Sequence, residues 1–220
     1  MPQARPRTAA ELLGVDVASP AQGRERLLLT AIELFYTHGF NAVGIDQVIA
    51  AAGVTKTTFY KHFESKDELM VAAVKRRDEW ELAAWERALR ASAGDDPRAR
   101  LLGLFDVLDQ WFNAPDFRGC LFLNTAAEFP NPHDPVHQVA AGHKRQIRDG
   151  WRDLARQAGA APHAAEQFAD LYTTVVEGTL IMRQVHGRDD AARVSRGLAL
   201  ALINQYIPAE TGSRAGVLPQ

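Results

Sequence analysis

The sequence has little of what several common protein classes require. It holds one cysteine, Cys120, among 220 residues, which excludes an intramolecular disulfide and a cysteine-rich zinc site. Neither sign of charge dominates, because 25 lysines and arginines stand against 27 aspartates and glutamates, for a net charge of −2. Binding to a polyanion must therefore come from a local basic patch and not from the chain as a whole.

Long hydrophobic runs are also missing. No segment approaches the roughly 18 consecutive apolar residues of a membrane span, and the N-terminal segment lacks the apolar stretch of a signal peptide. The apolar share of 46% is nevertheless ample for a folded core. We therefore expect a soluble, cytoplasmic protein with no membrane partner and no cofactor.

Helical periodicity dominates the chain and strand signals are weak, so the predicted fold is all-α. Residues 1–21 show no sustained apolar period and indicate a flexible arm, while residues 209–220 indicate a disordered tail. Between these segments the sequence predicts nine helices. They span residues 22–38, 45–52, 56–63, 66–92, 97–113, 119–128, 135–158, 163–186 and 190–207.

The most unusual stretch is TKTTFYKHF, residues 55–63, which combines hydroxyl, basic and aromatic side chains. Thr55 is a suitable N-cap for a helix that begins at Lys56. On a helical wheel, Phe59 and Phe63 fall on one side, as expected for a buried face. The side chains predicted to point outward are Thr57, Thr58 and Lys61, with Tyr60 and His62 on the flanks.

Such an outward face suits DNA, because Ser, Thr, Lys and Tyr side chains make many contacts to phosphates and base edges. With the preceding helix and the turn at Gly53, the stretch forms a helix-turn-helix, whose second helix enters the major groove. Lys66, at the start of the next helix, would reach the same DNA backbone. A packed helical hairpin with a solvated polar face gives the same pattern, so a protein-interaction scaffold stays open as an alternative.

Between residues 24 and 70, a set of residues lies at fixed spacing. They are Phe35, Gly39 and Phe40, then Ile49, Ala50, Ala52, Gly53, Val54 and Thr55, then Phe59, Tyr60, His62 and Phe63, and finally Lys66 and Leu69. With these residues the chain resembles the TetR family of transcriptional repressors. The resemblance implies an N-terminal three-helix DNA-binding unit, residues 22–68, joined by a long helix to a larger ligand-binding and dimerisation domain, residues 69–208.

The resemblance also implies a mechanism and its partners. A homodimer would place two recognition helices in successive major grooves of a pseudo-palindromic operator, and a small molecule bound to the larger domain would shift the long helix and release the DNA. Where many relatives carry two hydroxyl residues, this chain has Val43 and Gly44, so Gln47 is the nearest polar donor. We expect base-edge contacts from Thr57, Thr58 and Lys61, phosphate contacts from Tyr60, His62 and Lys66, and a further contact from Lys56.

The effector region has to be inferred from side-chain chemistry. Residues 109–138 combine aromatic side chains with isolated polar groups, which is the composition of a ligand pocket for a largely apolar molecule. The predicted effector-binding residues are Trp111, Cys120, Phe122, Asn124, Glu128, Trp151, Tyr172 and Met182, with Glu177 as a further candidate. Burial in an ordinary core is the alternative for each aromatic residue.

Cys120 and the histidines raise two further possibilities. Cys120 would serve as a redox sensor if its pKa were lowered or its thiol exposed, and a buried inert thiol is the alternative. His133 and His137 have the four-residue spacing of a shared metal site, but Pro135 suggests that His133 precedes the helix, and we predict no metal, at these residues or at His143. The sequence shows no nucleophile motif, paired carboxylates or phosphate loop, so we expect no enzymatic activity.

The last two long helices should form the dimer interface, as the resemblance implies. The predicted interface residues are Val175, Thr179, Leu198, Leu202 and Tyr206. Gly178 and Gly197 would let two helices approach closely. Burial inside one subunit is the competing explanation for any of these positions.

Overall fold

A computed structural model describes residues 23–208. Within that range it contains nine α-helices and no strand: α1 Gly23–His38, α2 Ile45–Ala52, α3 Lys56–His62, α4 Lys66–Ala93, α5 Pro97–Phe112, α6 Leu121–Glu128, α7 Pro135–Gln157, α8 Pro162–Gln184 and α9 Ala191–Tyr206. The all-α prediction is confirmed, and each predicted helix end lies within two residues of the observed one. The predicted arm, residues 1–21, and tail, residues 209–220, lie outside the described residues.

The first three helices enclose a small aromatic core. Phe59 and Phe63 are 0% and 1% exposed, as the helical wheel predicts. α1 stops at Gly39, whose φ of 84° is left-handed and whose N–H donates to the Phe35 carbonyl at 2.9 Å. The ring of Phe40 then stacks on Phe35 at 4.8 Å between centroids. A local stop signal and an aromatic contact therefore fix the direction in which the chain enters α2.

The turn between α2 and α3 gives the helix-turn-helix its angle. Gly53 closes α2 in the left-handed region, with φ 62°, and its N–H donates to the Ala50 carbonyl at 3.2 Å. Thr55 then starts α3, because its Oγ1 accepts the N–H of Thr58 at 3.1 Å. Both signals are local in sequence, which explains why the motif is predictable from the residues alone.

The larger C-terminal domain is a helical assembly that α4 enters from the N-terminal unit. α5, α7 and α8 each begin with a proline, at Pro97, Pro135 and Pro162, where the missing N–H costs no intrahelical bond. Tyr172 lies at the centre of this domain, fully buried, and its hydroxyl donates to the Leu101 carbonyl. Across the described helices, none is both long and apolar enough to cross a membrane.

Candidate nucleic-acid interface and interior cavity

The outer face of α3 presents four side chains together to solvent. Lys56, Thr57, Tyr60 and Lys61 line one shallow concavity, and Tyr60 is 50% exposed. The Lys56 ammonium lies 3.6 Å from the Asp46 carboxylate, but both groups are well exposed, so this pair is held weakly. One phenol, one hydroxyl and two ammonium groups are therefore available to phosphates and base edges.

Thr58 and His62 are half-buried beside the start of α1. The Thr58 hydroxyl lies 2.9 Å from that of Thr55, and its methyl carbon would lie 3.2 Å from a Cβ built on Gly23. His62 is half-buried beside the same glycine. Thr58 is thus less accessible than a helical wheel of α3 predicts, because the wheel does not include the start of α1 that packs against it, and its base-edge contact stays a prediction.

Lys66 has a contact within the fold. Its ammonium donates to the carbonyl of Phe40 at 2.7 Å and so holds the turn between α1 and α2. An ammonium carries three N–H donors, so donors remain for a phosphate. Gln47 is exposed on α2. Both positions are compatible with the DNA contacts predicted for them.

The C-terminal end of α6 holds the same Phe40 peptide from its other side. Glu128 accepts the N–H of Phe40 at 3.0 Å through Oε1 and the N–H of Asn41 at 2.9 Å through Oε2. The ring of Phe129 meets Phe40 edge-on, 5.6 Å between centroids. Bonds from N–H groups to a carboxylate are among the stronger hydrogen bonds. Glu128 therefore joins the two domains, which corrects its predicted place in the effector pocket.

The N-terminal end of α6 is attached to the N-terminal unit as well. The Tyr36 hydroxyl on α1 donates to the Gly119 carbonyl at 3.0 Å and accepts the N–H of Arg118 at 2.9 Å. Burial raises the pKa of Tyr36 to about 12, so its hydroxyl remains a donor at neutral pH. Both ends of α6 thus contact the N-terminal unit, through Tyr36 at one end and Glu128 at the other.

An interior cavity of about 40 Å³ lies among α4, α5, α7, α8 and the start of α6. Aromatic rings form much of its wall, and those of Trp85 and Trp111 meet edge-on at 5.6 Å. Its polar lining residues are Glu81, Cys120, His143, Lys144 and Glu177. An open groove of about 280 Å³ adjoins it, and Trp85, Ile147 and Trp151 line both spaces.

Two ion pairs stand at the cavity wall. Arg77 meets Glu81 at 2.6 Å, and Lys144 meets Glu177 at 2.8 Å. Burial alone would raise the pKa of Glu81, but Arg77 and His143 together lower it. Burial likewise opposes the Lys144 ammonium, yet Cys120 and Glu177 raise its pKa overall. Glu81 and Lys144 are therefore both charged at neutral pH.

His143 is buried between α4 and α6. Its Nδ1 lies 2.7 Å from an Asp78 carboxylate oxygen, and its ring stacks on Phe122 at 3.5 Å between centroids. Burial lowers the pKa of His143, and the opposing effects of Glu81 and Asp78 do not restore it. The ring is therefore neutral near pH 7, with Nδ1–H donating to Asp78.

Cys120 is buried at the N-cap of α6. Burial raises the pKa of its thiol, and Lys144 offsets this only in part. The reactive form of cysteine is the thiolate. The position therefore favours the inert thiol over the redox sensor.

The outer faces of α8 and α9 leave large apolar side chains uncovered. The most exposed are Leu171, Ile181, Val185, Val194 and Leu198. Gly178 and Gly197 are also exposed, and a Cβ built on either would meet no atom within 4 Å. Packing within the subunit therefore does not require a glycine at these two positions.

The predicted dimer-interface residues divide over two faces of these helices. Leu198 is 57% exposed, and Val175, Leu202 and Tyr206 are half-buried. Thr179 is 1% exposed and bonds the Val175 carbonyl, so it faces the subunit core. The prediction for Thr179 is corrected, because residues that are already buried have no surface left for a partner.

Two family models match the chain. The model for "bacterial regulatory proteins, tetR family" matches residues 27–73, and that for "tetracyclin repressor-like, C-terminal domain" matches residues 97–198. Together the two matches take in both domains and well over half of the sequence. The chain belongs to the TetR family. It is a helix-turn-helix transcriptional regulator and not an enzyme.

Relatives within the TetR family include both an activator and a repressor of transcription. The transcriptional activator FasR of Mycolicibacterium smegmatis is 31% identical over an alignment of 152 residues that covers 66% of this chain and 65% of FasR. The regulator LmrA of Bacillus subtilis is 23% identical, over 74% of this chain and 87% of LmrA. The repressor NemR of Escherichia coli is 31% identical, over 48% of this chain and 53% of NemR. The matched region thus spans just under two thirds of FasR and about half of NemR.

The fold agrees with solved TetR-family structures. SCO4454, a TetR-family transcriptional regulator from Streptomyces coelicolor, has a TM-score of 0.74 and 28% identity, over 84% of this chain and 95% of that chain. The reduced form of Escherichia coli NemR has a TM-score of 0.66 at 20% identity and shows the shared fold. Members of the family bind DNA operators and ligands and are typically dimers.

In this TetR-family chain, the predicted effector residues are distributed around the cavity unevenly. Trp111, Cys120 and Trp151 line it. Phe122 stacks behind His143, and Tyr172 lies behind Trp151 at 5.4 Å between centroids. The three predicted residues away from the cavity are Glu128, Met182, which packs against the core, and Asn124, which bonds Gln184.

Sequence reasoning missed several lining residues on the long helices. Glu81 and Trp85 come from α4, and Lys144 and Ile147 come from α7. The available signal was a pair of ionisable residues, Glu81 and Lys144, on helix faces that also carry core residues. That signal is weak, because the pattern of one helix does not show which other helix will face it.

Acidification should destabilise this TetR-family protein from near neutral pH downward. Glu81 and His143 both have pKa values lowered in the folded state. A group with a lowered folded pKa stabilises the fold above its unfolded pKa and loses that stabilisation as pH falls. We expect the Tm to decline from about pH 6.5, the ordinary histidine pKa, by about 2–4 °C for each kcal/mol lost.

Thermal melts at stepped pH would measure this decline. His143→Gln should flatten the profile between about pH 6.5 and pH 5, since it removes the buried titrating ring. His133→Gln is the matched control, because His133 is exposed. A wild-type Tm that rises on acidification, or an unchanged profile in His143→Gln, contradicts the assignment.

Proposed function

We propose that the protein is a homodimeric repressor, acting in the cytoplasm, that binds a pseudo-palindromic operator through α3 and releases it when a small molecule occupies the interior cavity. The observation that carries the proposal is the solvent-facing cluster on α3, made of Lys56, Thr57, Tyr60 and Lys61. Its chemistry matches a DNA groove. Activation is a second candidate, favoured by the relative FasR, an activator by name.

The exposed face of α8 and α9 supports a dimer. Isolated apolar side chains on a surface are ordinary, but a contiguous stripe of them marks an interaction site. Leu171 and Ile181 lie on α8 and Val185 follows its last residue, with Gly178 between Leu171 and Ile181. A twofold axis through this face would pair α8 and α9 with their copies and place two α3 helices on one side, as half-sites about 34–36 Å apart require.

Communication between cavity and operator is supported by two helices that touch both regions. α4 places Glu81 and Trp85 at the cavity and begins in the DNA-binding unit. α6 places Cys120 at the cavity and is attached to α1 by Tyr36 and to the following turn by Glu128. A cavity of about 40 Å³ is far smaller than the ~300 Å³ typical of a ligand site. A ligand must therefore displace one of these helices to enter.

Lys61→Ala should weaken operator binding about tenfold and lower its salt dependence. Each lysine that neutralises a phosphate contributes about 0.9 to the slope of log affinity against log salt, so a dimer should lose about 2. Fluorescence anisotropy on the duplex flanking the coding region, across a salt series, measures both quantities. Lys75→Ala, an exposed lysine on α4, is the matched control and should change neither.

Two results would count against this proposal. Equal affinity for flanking and random duplexes would show that the operator does not lie in that region. Wild-type affinity of the Lys61→Ala variant would show that α3 does not form the DNA interface. The sign of regulation is measured separately, by transcription from the flanking promoter with and without the protein. Repression predicts higher transcription in its absence, and activation predicts lower.

A further inference from the structure

Three buried N–H donors beside the cavity and the groove have no hydrogen-bond partner among the described residues. They are Trp111 Nε1, Trp151 Nε1 and Arg100 Nε, on side chains that are 3%, 6% and 4% exposed. One acceptor, Glu177 Oε2, is also unpaired at the cavity wall. Buried polar groups in native proteins are nearly always hydrogen-bonded, so these four atoms, on residues that line the cavity or the groove, are open to a partner from outside the chain.

The unpaired donors follow a path from solvent into the protein. Arg100 lines the outer groove, Trp111 lines the interior cavity, and Trp151 lines both. Trp85 and Ile147 also stand between the two spaces. Tryptophan residues therefore line both spaces, and the residues that carry the unpaired donors are distributed over the two of them.

Charge narrows the kind of molecule that fits. Arg77 pairs with Glu81, Lys144 pairs with Glu177 Oε1, and Arg100 pairs with Glu86. The permanent charges are thus largely matched, while Glu177 Oε2 remains as an acceptor that would repel an anion. A cation would be repelled by the partial positive charges on the three N–H donors. The site therefore favours a neutral molecule with more acceptors than donors.

We propose that the path binds a neutral aromatic ketone that carries a phenolic hydroxyl. Its carbonyl oxygen would accept from an indole N–H of Trp111 or Trp151, its hydroxyl would donate to Glu177 Oε2, and its rings would pack against the tryptophan rings. The inference rests on the effector part of the proposed function and adds the chemical class of the effector. A groove of about 280 Å³ has room for a two-ring compound at its outer end.

A ligand that enters the cavity from the groove must displace the residues that line both spaces, Trp85, Ile147 and Trp151. Trp85 belongs to α4, so a two-ring ligand that separates Trp85 from Trp151 also moves α4 away from α7. The same ligand would contact the wall that holds Glu81 and His143. The chemical class thus follows from the donors, and its effect on the DNA-binding unit follows from the helix that supplies Trp85.

Isothermal titration calorimetry on the DNA-free protein tests the inference with four probes of similar size. 4-Hydroxybenzophenone should bind tightest, and benzophenone, which lacks the hydroxyl, about 3- to 10-fold more weakly. Diphenylmethane, which lacks the carbonyl, and 4-benzoylbenzoate, which is anionic, should both bind more weakly than benzophenone. Glu177→Gln should reduce the advantage of the hydroxyl.

Variants separate the donors from the aromatic bulk. The double variant Trp111→Phe/Trp151→Phe keeps two rings and removes both N–H groups, and should weaken binding of benzophenone about tenfold or more. Trp80→Phe is the matched control, because Trp80 lies on α4 against Arg77 and does not line the cavity or the groove. Circular dichroism checks that the variants fold, and the probe series on the wild type decides the question if the double variant does not.

Several outcomes overturn the inference. If neither ketone binds, water satisfies the donors and the ligand class is wrong. It is also wrong if diphenylmethane binds as tightly as benzophenone, or if the folded double variant binds benzophenone as the wild type does. Operator affinity is measured on separate samples without ligand. If the protein binds its operator but no ketone, only the proposed ligand class is wrong. If it binds a ketone but no operator, the proposed repressor function is wrong.

Discussion

Leu198→Glu should convert the proposed dimer into monomers. Leu198 is 57% exposed in the single chain, so a glutamate there leaves the subunit fold intact. In a twofold dimer the same substitution appears on both copies of one face. Like charges brought together at an interface cost several kcal/mol, which corresponds to a loss of dimer affinity of about 100-fold or more.

Sedimentation velocity and operator anisotropy measure the two consequences. Monomers should sediment at half the mass, and operator affinity should fall by about 100-fold or more, because each monomer reaches only one half-site. Ala91→Glu is the matched control, since Ala91 is also exposed but lies on α4. Gly178→Phe gives an independent check at a position where an added Cβ meets nothing within the subunit. If both α8 and α9 variants remain dimeric, the interface lies elsewhere.

Arg77→Met should destabilise the protein by about 3–5 kcal/mol. Glu81, 3% exposed, would lose the guanidinium that now lies 2.6 Å away, so burial would oppose its charged form without compensation. Arg77 also lies over the rings of Tyr36 and Trp80, 5.6 Å and 4.5 Å from their centroids. Urea denaturation at one fixed protein concentration measures the change without a contribution from dimer dissociation between samples.

Removing both charges should restore most of this stability. Arg77→Met/Glu81→Leu leaves no unpaired charge, and such replacements are often neutral or stabilising. Arg76→Met is the matched control: its pair with Glu25 has side chains 41% and 35% exposed, and exposed pairs contribute about 1 kcal/mol or less. A loss below about 1 kcal/mol in Arg77→Met, or a double variant no better than the single one, would contradict the account.

The helices were predictable because their limits are local in sequence. Pro97, Pro135 and Pro162 open three helices, and Gly39 and Gly53 close two others. Each of these signals acts through a neighbour a few residues away. The helix-turn-helix follows from the same kind of signal, together with the buried face of α3.

Contacts between distant segments were not predictable in the same way. Glu128 meets Phe40 across 88 residues, and no periodicity on α6 connects the two. Thr58 is partly covered by the start of α1, which a wheel drawn for α3 does not contain. Thr179 and Leu198 both belong to periodic, largely apolar helix faces. Thr179 nevertheless faces the subunit core, whereas Leu198 faces solvent. Periodicity shows that a face is covered, but it does not show what covers it.

The contacts of the Phe40 backbone with Glu128 and Lys66 bear on how several genes would respond to one effector. The Phe40 N–H donates to Glu128 on α6, and the Phe40 carbonyl accepts from Lys66, a proposed phosphate contact. If ligand and operator act on this peptide in opposition, each lowers the affinity for the other by the same factor. Tighter operators then require more ligand before they are vacated. A single regulator would therefore open its promoters in order of operator strength as the ligand accumulates.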